Sequence, residues 1–155
     1  MTERSVTHTT FVIERFFQVS PARVFAAWST AEQKRKWFGC HEGATHELDF
    51  RVGGRETYRG GPKGGPIYTN ETRFQDIVPN QRIVYTYDMQ RDETRISVSV
   101  VTIELKAEGK GTRLVFTEQG AFLDGHDAPE GREHGTKIVL DKLVEGLERE
   151  AHAAA

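Results

Sequence analysis

The side chains best placed to do chemistry are charges that fall among apolar residues. Arg15 shares a two-residue phase with Phe11, Ile13, Phe17 and Val19, so a strand there carries its guanidinium to the buried side. Glu118 follows Leu114 and Phe116 in the same way, and Glu56 shares a phase with Tyr58 in a shorter stretch. Burying a charge is costly unless it is paired and hydrogen-bonded. As structure, these charges form an internal ion pair, or a register bend lets Arg15 reach water. As function, they anchor a ligand carboxylate, phenol or carbonyl in an otherwise apolar cavity.

Tyr58, Tyr68, Tyr85 and Tyr87 add hydroxyls that can orient a flat, partly polar ligand, because a tyrosine ring packs while its hydroxyl seeks a partner. Phe17, Trp28, Trp37, Phe38, Phe50, Phe74 and Phe122 complete an aromatic set of which about half should be plain core. The histidines carry less. His41 and His46, and separately His126 with Asp127, Glu130 and His134, are close in sequence, but neither group has a zinc spacing. The single cysteine, Cys40, has no companion, so neither a metal nor a disulfide is expected. The run Gly60 to Pro66 superficially looks like a phosphate cradle, yet strand leads to strand there with no helix N-terminus to hold an anion. A hairpin loop at a cavity mouth is the better reading. No serine or cysteine comes with an identifiable base and orienting acid. Acid–base chemistry by Glu118, Glu56 or a tyrosine stays open, pending geometry.

These residues need elements to position them. Alternation predicts a strand over Phe11–Val19; Ser20-Pro21 then predicts an N-cap and first helical residue, leading to Val24, Phe25 and Trp28 on one helix side. Thr30 with Gln33 predicts a capping box for a second short helix ending near Trp37 and Phe38. Strands follow over His46–Arg51 and Glu56–Arg59, joined by a Gly53-Gly54 turn, and then over Ile67–Val78 up to Pro79-Asn80. The next strand holds Ile83, Tyr85, Tyr87 and Met89 in one phase. After Ile96, Val98 and Val100 the apolar phase slips to Val101, Ile103 and Leu105, which predicts a β-bulge there. Leu114 and Phe116 mark the last strand, Gly120–Gly131 reads as a loop, and a helix runs from about Arg132 to Glu150. Its apolar face carries Thr136, Val139, Leu140, Leu143 and Leu147. Strands in hairpin order followed by a helix give an α+β domain, with a curved antiparallel sheet of six to seven strands against the terminal helix.

Length and composition limit the function classes. At 155 residues with 37% hydrophobic and 28% charged, the chain suits a single domain over 1–155, with 1–8 and 151–155 expected as disordered ends. A formal net charge of -2 gives no electrostatic footprint for nucleic acid. The first ten residues lack a signal-peptide apolar run, and no stretch approaches the roughly 20 apolar residues that span a bilayer. A cytoplasmic location, no membrane insertion and no cofactor are expected, with the chain a monomer or weak homodimer.

The ordered motifs resemble the START-like helix-grip (SRPBCC) superfamily of lipid-transfer domains, plant pathogenesis-related proteins and polyketide cyclases. Within it the likeness is to bacterial relatives of the C-terminal domain of the heat-shock chaperone ATPase activator. It is carried by Ser20-Pro21 before Val24-Phe25-Ala26-Ala27-Trp28, by Lys36-Trp37-Phe38-Gly39, and by Asp49-Phe50-Arg51-Val52-Gly53-Gly54-Arg55. Phe74-Gln75-Asp76-Ile77-Val78-Pro79, Arg82-Ile83-Val84-Tyr85, and His134-Gly135 before Leu140-Asp141-Lys142-Leu143 continue it over nearly the whole chain. The resemblance implies a helix-grip fold whose first and last strands are neighbours, so that Arg15 and Glu118 meet inside. It implies a small hydrophobic or aromatic ligand (lipid, polyketide or flavonoid-like) between sheet and helix, touching Phe116, Leu140, Leu143 and Thr136. Family members often have tryptophan at the position of Thr136, so this pocket should be roomier and more polar there. Binding ranks first, a cofactor-free cyclase or dehydratase second, and a chaperone-interacting module third. Within these 155 residues no room is expected for the activator's N-terminal chaperone-binding domain.

Overall fold

The structure is a computed structural model that describes residues 3–39 and 41–153. Cys40, counted above only as a cysteine without a companion, lies outside them, as do residues 1–2 and 154–155. The described elements run β1 (Val6–Phe17), α1 (Pro21–Ser29), α2 (Ala31–Lys34), β2 (Thr45–Leu48), β3 (Arg55–Gly60), β4 (Tyr68–Val78), β5 (Arg82–Arg91), β6 (Thr94–Glu108), β7 (Gly111–Leu123) and α3 (Pro129–Ala153). The strands form one antiparallel sheet in the order β1-β7-β6-β5-β4-β3-β2. First and last strands pair over Val6↔Leu123 to Phe17↔Thr112. With α3 packed on the inner face, this is the helix-grip arrangement.

The local signals explain the elements. Ser20 caps α1, its side chain accepting from the Arg23 amide, and Thr30 does the same for α2 through Gln33. Gly53 turns β2 toward β3 with φ +82, a conformation that costs glycine least. Apolar side chains from β1, β6, β7, α1 and α3 meet in one core around Ile13, Phe17, Trp28, Ile103, Leu114 and Leu143.

Several boundaries differ from expectation. β1 begins at Val6, inside the segment expected to be a disordered end, because Val6–Thr9 pair with Leu123–Gly120. For the same reason Gly120–Leu123 belong to β7 rather than to a loop, and residues 120–122 also pair with β6. α3 starts at Pro129, which needs no amide partner in a first helical turn, and continues through Ala153.

The bulge is also elsewhere. Met89 pairs with Ser97 but Gln90 with Arg95, so the extra residue in β6 is Ile96. A second irregularity leaves Gln75 unpaired in β4. From Ser97 to Leu105 β6 keeps an unbroken alternation, with Ser97, Ser99, Val101 and Ile103 buried and Val98 and Val100 exposed. The apparent phase slip is an inversion of polarity. Over 97–100 the serines point in and the valines point out.

Candidate functional site: a cavity with two polar poles

A cavity of about 360 Å³ lies between the first half of α3 and the inner face of the sheet. That size falls within the range of small-molecule sites. The walls at the α1–α2 end are Trp28, Lys34, Trp37 and Phe38; the sheet contributes Glu56, Tyr68, Asn70, Thr72, Tyr85, Tyr87, Met89, Phe116 and Glu118. From α3 and the residues before it come Asp127, Gly131, Arg132, Gly135, Thr136, Val139 and Leu140.

The register explains why polar groups collect here. Glu56 pairs with Thr72, Thr72 with Tyr87, Tyr87 with Ser99, and Ser99 with Gly120. One rung across five strands is therefore polar on its inner side and ends on a residue without a side chain. A Cβ at position 120 would stand 2.8 Å from Ser99 Oγ and 2.9 Å from Phe122 Cε1. Glycine leaves that space to the Ser99 hydroxyl.

The first pole is at the α3 end. Glu118 Oε2 accepts from Tyr87 at 2.7 Å, Ser99 at 2.8 Å and Arg132 at 3.3 Å. Arg132 also donates to the Tyr87 hydroxyl (2.8 Å), Ser97 (2.8 Å) and Asp127 (3.0 Å), and its guanidinium lies 4.9 Å from the Phe122 ring centroid. Glu118 and Arg132 are both buried. Burial and the adjacent Glu118 raise the Tyr87 phenol well above its ordinary range; burial, Tyr87 and Glu118 do the same to Tyr85. Both tyrosines therefore act as neutral hydroxyls. For Arg132, burial opposes the charge, but the Glu118 and Asp127 carboxylates and the hydrogen bond to Tyr87 outweigh it and hold the guanidinium protonated.

The second pole joins α2 to β2 and β3. Lys34 Nζ donates to Glu56 Oε1 at 2.5 Å, and His46 Nε2 lies 2.6 Å from Glu56 Oε2. Arg35 Nε donates to His46 Nδ1 at 3.1 Å. An arginine only donates, so Nδ1 accepts and Nε2 carries the proton given to Glu56. The ammonium of Lys34 sits 4.9 Å from the Phe38 ring centroid and 5.4 Å from that of Trp28. Burial pushes the Glu56 carboxyl up, but Lys34 and His46 together hold it below its ordinary value.

Of the residues singled out in the sequence, Trp28, Trp37, Phe38, Glu56, Tyr68, Tyr85, Tyr87, Phe116, Glu118, Thr136 and Leu140 line the cavity. Phe17, Phe74, Phe122 and Leu143 are buried in side-chain packing instead, and half-buried Phe50 packs edge-on against Phe25 and Phe74. Tyr58 stacks edge-on against Phe38, outside the lining.

Arg15 is the clearest correction. It stands opposite Leu114, while Glu118 stands opposite Phe11. Four residues along a strand amount to about 13 Å, too far for an ion pair. Arg15 instead leans out of the edge strand to Asp141 on α3 at 2.7 Å. The partner of Glu118 is Arg132, which sequence reasoning missed because it placed the helix start there. Stepping back by fours from Leu140 and Thr136 reaches Arg132, so the apolar face itself carried the signal. Lys34 was also missed, although Trp37 and Phe38 follow it at three and four residues. Asn70, Thr72 and Met89 share the inner phase of their strands and were passed over in favour of the aromatics.

With this geometry established, the comparisons with known proteins give the chain its place. The family model described as "Activator of Hsp90 ATPase homolog 1-like protein" matches residues 18–148. The chain belongs to this family. The matched span includes every residue of both poles. Among solved structures, the Mll3558 protein from Rhizobium loti is 48% identical, with TM-score 0.87 over 91% of this chain and 98% of that one. A protein from Rhizobium leguminosarum is 47% identical, with TM-score 0.91 over 96% of this chain and 99% of that one. CV1439 from Chromobacterium violaceum is 26% identical, with TM-score 0.76 over 90% and 96%. Among curated proteins none matches. Among the described residues, no helix is long and apolar enough to cross a membrane, and no three His, Cys, Asp or Glu side chains group so as to hold a metal ion.

Proposed function

We propose that this member of the family binds a small, largely aromatic molecule in the cavity between α3 and the sheet. The observation that carries this reading is the state of the walls. They are mostly apolar and aromatic, yet Trp28 Nε1 and Asn70 Oδ1 are buried without a hydrogen-bond partner among the described residues. A buried donor or acceptor left unpaired costs about 1–3 kcal/mol, which a bound ligand can recover. A thermal-shift screen of fatty acids, polyketide-like phenols and flat aromatic ketones tests the reading. Stabilisation by at least one class is expected; if no class raises the melting temperature at millimolar concentration, the reading is wrong.

A cofactor-free enzyme is the second reading, favoured by one feature. Glu118 accepts from Tyr87, Ser99 and Arg132 on Oε2, so Oε1 is left to meet a ligand proton. Turnover that vanishes in Glu118→Gln while ligand affinity stays within about tenfold supports it. Bound ligands that are never converted argue for a carrier.

A further inference from the structure

Lys34 and Glu118 are both buried, both line the cavity, and both are incompletely used. An ammonium has three N–H donors. Lys34 gives one to Glu56 and faces the rings of Trp28, Phe38 and Tyr85 with the rest. Trp28, beside it, adds an N–H with no acceptor among the described residues. This end of the cavity has donors to spare. At the other end the situation reverses. Tyr87, Ser99 and Arg132 all converge on Glu118 Oε2, and none of the three donates to Oε1.

The sheet sets the distance between these ends. Lys34 is held by Glu56 on β3, and Glu118 by Tyr87 on β5 and Ser99 on β6, all in one rung. Two to three strand spacings come to about 10–14 Å. One para-substituted ring fits that span, since about 6 Å between its two oxygens plus about 2.8 Å for the hydrogen bond at each end comes to about 12 Å, whereas two linked rings need about 16 Å. The wall between the ends is apolar, with Trp37, Phe116 and Leu140 along it.

We infer that the cavity is polarised end to end and selects a para-disubstituted single-ring aromatic molecule, with an acceptor oxygen held by Lys34 and a hydroxyl given to Glu118. The inference rests on the cavity being a ligand site. Calorimetry with 4-hydroxyacetophenone, acetophenone, phenol and benzene tests both levels separately. The doubly substituted probe should bind at least tenfold tighter than either singly substituted one. In Lys34→Met the ketone's advantage should disappear while the hydroxyl's persists, and in Glu118→Gln the hydroxyl's advantage should fall to within threefold. Equal affinity for all four probes overturns the polarity while leaving a ligand site. Absence of binding by any of them overturns the underlying reading as well. Should Lys34→Met not fold, the infrared stretch of a ¹³C-labelled ketone on the unaltered protein decides the Lys34 end. A bound carbonyl shifted down from its position in an aprotic solvent supports it, and an unshifted one overturns it.

Discussion

Arg132 of α3 reaches the Glu118 carboxylate of β7 at 3.3 Å, and both side chains are at least nine-tenths buried. The pair ties the helix to the sheet beside the cavity, and each charge depends on the other. Arg132→Met leaves Glu118 uncompensated and should cost about 3–5 kcal/mol. Arg15→Ala, by contrast, removes a pair whose partner Asp141 is 55% exposed, and should cost about 0–1 kcal/mol. Urea unfolding of the two variants checks the contrast; similar losses would mean that Arg132 is not the buried anchor.

Glu56 should make stability depend on acidity. Its carboxyl is held below its ordinary 4.5 in the folded state, with Lys34 and His46 outweighing burial. A depressed carboxyl stabilises the fold at pH values above its unfolded value, and the benefit is lost as pH falls through the folded value. Urea midpoints should therefore be level near neutrality and fall below about pH 4.5. Glu56→Gln should be less stable at pH 7, because Lys34 loses its buried partner, and should show a shallower acid decline. An acid decline as steep as that of the unaltered protein contradicts the assignment.

Much of this fold was legible because its local signals agree. Ser20-Pro21, Thr30 with Gln33, and Gly53 each specify one local geometry, and period-two alternation located the strands. The site was legible only in part. Glu56 and Glu118 betrayed themselves as charges in an inward phase. Their partners left only a helical spacing to neighbouring apolar residues, easily passed over because Lys34 sits on a four-residue helix and Arg132 in a first helical turn. Arg15 misled because phase fixes the face of a sheet but not the position along it. Ser97 and Ser99 misled more instructively. A polar interior against exposed Val98 and Val100 imitates a change of register, and only cross-strand pairing separates the two.

Gly120 offers a test of how tightly the Glu118 pole is built. The Cβ of Gly120→Ala would crowd Ser99 Oγ at 2.8 Å, displacing a hydroxyl that donates to Glu118. Overpacking of this kind costs about 1–3 kcal/mol. Part of that loss should return in the double variant Gly120→Ala/Ser99→Ala, where the hydroxyl is gone; the contact with Phe122 remains in both. Strict additivity of the two losses would show that Ser99 is not the group displaced.

Gly135 should separate stability from binding. It lies on α3 at the cavity wall, and a Cβ there meets nothing within 4 Å. Gly135→Leu removes a helix-weakening residue, worth about 0.5–1 kcal/mol of stability, and pushes a side chain into the open space. The variant should melt higher while losing at least tenfold in affinity for any cavity ligand. A variant that binds as well as the unaltered protein would place the ligand elsewhere.

The most direct test of the central claim is a methyl-resolved NMR titration with 4-hydroxyacetophenone. The account predicts that shifts and intermolecular contacts concentrate on Met89, Val139 and Leu140, which line the cavity, and spare Val98 and Val100 on the outer face. Perturbations confined to the outer face, or none at saturating probe, would contradict it.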